Sequence, residues 1–71
     1  MSADAVQVTV NGQTELLPAD TTLGAVITRL RPSRTGIAAA IGDSVVPRAE
    51  WDSRALRDGD EVEILTAVQG G

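Results

Sequence analysis

The sequence predicts an α+β domain in which a mixed sheet of four to five strands packs on one helix. Three observations carry this expectation. Val6, Val8 and Val10 alternate with polar residues and run straight into Asn11-Gly12. Leu23, Val26, Ile27 and Leu30 form a single apolar stripe at helical spacing. The remaining apolar runs are short, and glycine, proline or aspartate bounds each of them. A chain of 71 residues has room for one such domain and no more. That domain is expected over residues 1–66, with 67–71 as a C-terminal tail.

The elements follow in order. Val6-Gln7-Val8-Thr9-Val10 has the period of two of a half-buried strand. Asn11-Gly12 suits the two positive φ angles of a type I′ turn. The return strand is expected at Thr14-Glu15-Leu16-Leu17, ended by Pro18. The stripe Leu23, Val26, Ile27, Leu30 then predicts an amphipathic helix with all four side chains buried. Thr22 is the expected N-cap, with Thr21 as the alternative. Asp20 lies at the positive end of the helix dipole, Arg29 and Arg31 at the negative end, and Pro32 stops the helix.

Ile37-Ala38-Ala39-Ala40-Ile41 has the alanine content of a helix, but five residues between Gly36 and Gly42 is strand length. Gly42-Asp43 reads as a tight turn with glycine first, as type II′ requires. Ser44-Val45-Val46 is a short strand ended by Pro47. Trp51 and Leu56 are expected to anchor the irregular stretch from Arg48 to Arg57. Asp58-Gly59-Asp60 is a turn, and Glu61-Val62-Glu63-Ile64-Leu65-Thr66 is the last strand, with Val62 and Ile64 facing the core. Hairpin, helix, strand, short strand, crossover, last strand is the β-grasp order, with the first and last strands paired in parallel.

Composition removes most chemistry. There is no cysteine and no histidine, so the usual zinc ligands, thiol nucleophiles and commonest general base are missing. All six basic residues are arginine against ten acidic residues, a net charge of -4 that argues against nucleic acid. No apolar run could span a bilayer, and Met1-Ser2-Ala3-Asp4 does not read as a signal peptide, so the expected compartment is the cytoplasm. Asp58, Asp60, Glu61 and Glu63 are an acidic run best read as a solvated turn and strand face. No catalytic constellation is left, and the chain is expected not to be an enzyme.

The reactive group that remains is the carboxylate at Gly70-Gly71. Two residues without Cβ make a thin end that could pass a narrow channel. The five residues after Thr66 could reach about 17 Å when extended. A carboxylate becomes an electrophile once it is adenylated, and a sulfur nucleophile can then displace AMP. If Val62 and Ile64 face inward, Leu65 faces outward, and with Val68 it would form a small apolar docking patch beside the tail.

Nearly the whole chain resembles the ThiS family of ubiquitin-like sulfur carriers. The resemblance rests on Val10-Asn11-Gly12, Thr22-Leu23, Val45-Val46-Pro47-Arg48 with Trp51 three residues on, Asp58-Gly59-Asp60, and Glu63-Ile64-Leu65-Thr66-Ala67-Val68-Gln69-Gly70-Gly71. It implies that a ThiF-like adenylyltransferase, using ATP and magnesium, activates Gly71, with Gln69 and Gly70 threading into its site. A persulfide donor would then give a thiocarboxylate, whose sulfur the thiazole synthase ThiG would use in thiamine biosynthesis. The MoaD family of molybdopterin synthesis shares the fold and the diglycine. Its tails more often approach the glycines through proline, whereas Leu65-Thr66-Ala67-Val68 does not. A ubiquitin-like protein modifier, joined through Gly71, is the other alternative.

Overall fold

The computed structural model describes residues 4–31 and 33–66. Five strands and one α-helix appear in the order β1 (Ala5–Val10), β2 (Gln13–Pro18), α1 (Leu23–Leu30), β3 (Ile37–Ile41), β4 (Ser44–Val45) and β5 (Glu61–Thr66), with a 3-10 turn at Arg48–Glu50 before β5. The spatial order of the sheet is β2-β1-β5-β3-β4. β5 pairs in parallel with β1 and antiparallel with β3, so the last strand lies at the centre. This is the β-grasp arrangement expected from the order of elements. Val68, Gln69, Gly70 and Gly71, and the predicted tail boundary after Thr66, fall in or against the segment outside the described residues.

The hairpin forms as its turn residues require. Asn11 and Gly12 have φ of 51° and 87°, both positive as in a type I′ turn. β2 is longer than expected, because it takes in Pro18 rather than stopping before it. The reason is positional. Ala5 pairs with Pro18, and Ala19 N–H donates to Asp4 C=O at 3.0 Å. Pro18 therefore occupies a non-hydrogen-bonded pair, and its nitrogen faces the open edge of the sheet, where no donor is needed.

Helix α1 begins as the sequence indicates. Thr22 is the N-cap, its Oγ1 accepting Ala25 N–H at 3.1 Å. Two more of the orphan N–H groups at the helix start find tertiary partners: Leu23 N–H donates to Arg54 C=O and Gly24 N–H to Trp51 C=O, both at 2.9 Å. The crossover is thereby tied to the helix. Leu23, Val26 and Ile27 are buried, but Leu30 is 48% exposed, contrary to the four-residue stripe expected. Leu30 is the last helical residue and lines a small opening with Val10, Glu15, Leu17, Val26 and Arg29. The helix ends over the edge strand β2, and no further strand lies beyond it to cover the side chain. The three buried side chains contribute roughly 5–9 kcal/mol as an upper bound.

The alanine-rich run is a strand. Ile37, Ala39 and Ile41 face the core and Ala38 faces out. Gly42 has φ of 61° and Asp43 has no positive φ, the type II′ pattern. Trp51 is 1% exposed, and its indole N–H donates to Val46 C=O at 2.9 Å. It is an anchor of the crossover, as expected, and Leu56 at 3% exposure fills the same region. Replacing Trp51 by Phe should leave the Val46 carbonyl without its buried donor and open space beside it, costing about 2–3 kcal/mol. Urea unfolding of the two proteins, with unchanged m-value, would measure this.

Candidate functional site

β5 alternates from Glu61 to Leu65, and Thr66 at its end is exposed as well. Val62 and Ile64 are buried at 1% and 7% exposure, while Glu61, Glu63 and Leu65 point away from the helix. Leu65 is 60% exposed, the outward orientation expected from the alternation. The register adds neighbours. Leu65 lies opposite Ala38, Glu63 opposite Ala40, and Ala40 opposite Val45, which is 75% exposed. Directly paired residues share a face, so Leu65, Ala38, Ala40 and Val45 form an apolar strip across β5, β3 and β4, with Glu61 and Glu63 beside it.

Ala38 and Val45 were not singled out from sequence. Two adjacent valines, Val45 and Val46, cannot both face the core from one strand. That was a usable signal, but which of them faces out depends on the pairing with β3. Leu65 can thus be placed, whereas its expected companion Val68 and the tail residues Gln69, Gly70 and Gly71 lie outside the described residues.

The acidic run is local architecture. Asp58 Oδ1 accepts Gln7 N–H at 2.7 Å and Asp60 Oδ2 accepts Arg57 N–H at 2.8 Å, closing the turn around Gly59 at φ 90°. Gly59 N–H in turn donates to Gln7 C=O at 2.7 Å. Among the described residues no group of three histidine, cysteine, aspartate or glutamate side chains is placed to hold a metal ion. No helix of the described residues is long and apolar enough to cross a membrane.

The densest polar cluster lies on the other side of the molecule. Arg34 donates to both carboxylate oxygens of Asp52, at 2.9 and 2.8 Å, to Thr28 Oγ1 and to Gly24 C=O. The guanidinium carbons of Arg34 and Arg48 each lie 5.8 Å from the centroid of the Trp51 ring. This cluster joins the segment after α1 to the crossover. A Cβ at Gly24 would run into the ends of the Asp52 and Arg34 side chains, so a larger residue there would displace this pair. Every polar group named is committed to another, and the arrangement offers no open base or nucleophile.

The sheet order and lone helix define a β-grasp domain, and its described part carries no reactive centre. The sequence matches the model of the ThiS family over residues 3–71, and the chain belongs to that family. It is 29% identical over 66 residues to the sulfur carrier protein ThiS of Escherichia coli, covering 93% of this chain and all of that protein. It also resembles the crystal structure of the thiamine biosynthesis protein ThiS from Geobacter metallireducens, with a TM-score of 0.73 and 25% identity over 93% of this chain and all of that one.

The Arg34–Asp52 pair has a pH signature. The hydrogen bond from Arg34 holds the Asp52 carboxyl below its ordinary range. A carboxyl with a depressed folded pKa contributes stability that is present above its unfolded value of about 3.9 and is lost as pH falls through the lower folded value. The matching rise at Arg34 acts only at extreme alkalinity. Asp52→Asn should therefore melt below the parent protein at neutral pH, and the two melting temperatures should converge as pH falls below about 4. Thermal melts across the acid range would measure the convergence.

Proposed function

We propose that this chain is a sulfur carrier of thiamine biosynthesis, a substrate of its partners rather than an enzyme, working through the carboxylate of Gly71 in the cytoplasm. A ThiF-like adenylyltransferase joins that carboxylate to AMP from ATP, with magnesium, releasing pyrophosphate. A persulfide donor attacks the acyl adenylate and AMP leaves, giving an acyl persulfide. A second thiol then cleaves its S–S bond, leaving a thiocarboxylate on Gly71 and a disulfide on the donor side. The thiazole synthase ThiG takes the sulfur. Gln69 and Gly70 thread into the partner sites, where side chains larger than glycine at position 70 would block the approach.

The observation that carries this reading is the family match through residue 71, which takes in the glycine end as well as the domain. Two features agree with it. The chain lacks histidine, cysteine and lysine, so the commonest general base and the thiol and amine nucleophiles are missing. The exposed Leu65 stands at the end of β5, one residue before the chain runs on toward Gly71. Leu65, with Val68, is the docking contact of this proposal, and Ala38 and Val45 extend the same apolar face.

The protein purified from its native cells should contain a species about 16 mass units heavier, oxygen replaced by sulfur; Met1 oxidation adds nearly the same mass and must be separated by mapping the shift to Gly71. Lack of any thioacid at Gly71 with the adenylyltransferase, ATP and a persulfide donor supplied would sink the carrier assignment. Isopeptides joining Gly71 to other proteins would favour a modifier instead. Leu65→Asp should fold normally and raise the KM for adenylation about tenfold, the effect of losing one interface anchor. Unchanged adenylation kinetics would remove Leu65 from the docking surface.

A further inference from the structure

Asn11 does more than turn the hairpin. In a parallel ladder, a residue of one strand donates its N–H and accepts through its C=O at two successive points of the neighbour. Thr9 pairs with Glu61 and Val10 with Val62, so Asn11 stands at the next position along. Its N–H does donate to Val62 C=O, at 2.8 Å. Its φ of 51° then carries the backbone into the turn and away from the strand direction. The following rung is nevertheless made. Ile64 N–H donates to the side-chain Oδ1 of Asn11 at 2.8 Å, in a partly buried bond. The side-chain carbonyl stands where the backbone carbonyl of a continuing strand would be.

Past this rung, no further β1–β5 hydrogen bond is found among the described residues. Leu65 and Thr66 pair only on the other side, with Ala38 and Ile37 of β3. Among the described residues, the Asn11 side chain is therefore the last hydrogen-bond partner that β5 finds on the β1 side. We propose that Asn11 is a positioning residue: its side chain holds Ile64 in the ladder and so sets the direction in which β5 delivers Leu65 and the tail to a partner. The functional part of this proposal rests on the carrier reading above; the structural part does not.

Two substitutions separate the roles. Asn11→Gly keeps the positive φ that the turn needs and removes the acceptor. Asn11→Asp keeps both, because aspartate also tolerates this conformation and its carboxylate accepts from N–H. The full chain would be compared in three forms by amide hydrogen exchange and by adenylation with a ThiF-like adenylyltransferase and ATP. In Asn11→Gly, exchange at Ile64 and Leu65 should rise about tenfold relative to the amides of Val8 and Ile27, the loss of one hydrogen bond rather than of the fold. Only a fraction of molecules would then present the tail correctly, so KM for adenylation should rise about fivefold with kcat nearly unchanged. Asn11→Asp should restore both readouts. Equal exchange in all three forms overturns the proposal, and so does an Asn11→Gly protein with loosened Ile64 but parental KM. If the parent protein itself is not adenylated, the carrier reading fails, and the exchange data still decide whether Asn11 holds the strand.

Discussion

The placement of β5 between β1 and β3 is the constraint on which the rest of the structure depends. Without it, the N-terminal hairpin and the β3–β4 pair share no ladder at all. Val62 and Ile64 then complete the inner face against Leu23, Val26 and Ile27 of the helix. The last strand of the described residues is thus the one that closes the sheet. For a protein proposed to work through its C-terminus this has a consequence: the described residues end in a central strand and not in an edge.

That central strand also divides the molecule's surface. One face of the sheet is spent on the helix and core. The other carries Leu65, Ala38, Ala40 and Val45 beside Glu61 and Glu63, with no committed partners among the apolar side chains. On the helix side, the polar groups of Arg34, Asp52, Thr28 and the helix start satisfy one another, and Trp51 is sealed beneath them. Among the described residues, the polar side chains that make hydrogen bonds serve turns, the helix cap, the crossover and the β5 ladder.

Much of this was legible in the sequence, and the legible parts share a property. The β1–β2 turn, the Thr22 cap, the strand character of Ile37–Ile41, the inward Val62 and Ile64 and the outward Leu65 all follow from residues within a few positions of one another. Local sterics and a repeat of two or 3.6 decide them. The exposure of Leu30 escaped the same reasoning, because periodicity says which side of a helix is apolar but not where the sheet beneath it ends. The inclusion of Pro18 in β2 escaped it because the pairing register, not proline itself, decides whether the missing N–H matters.

The sequence by itself determined the fold class and the order of elements, since both rest on composition or on short-range pattern, and it singled out Gly71 as the group of the proposed carrier role. Tertiary structure alone decided which exposed residues share a face and which distant groups meet. Arg34 reaches Asp52 across 18 positions, and the Asn11 side chain reaches the Ile64 amide across 53. No local period encodes such contacts. The second exists because closing a parallel pair brings the first strand beside the last, and only there does a turn asparagine supply a rung to β5.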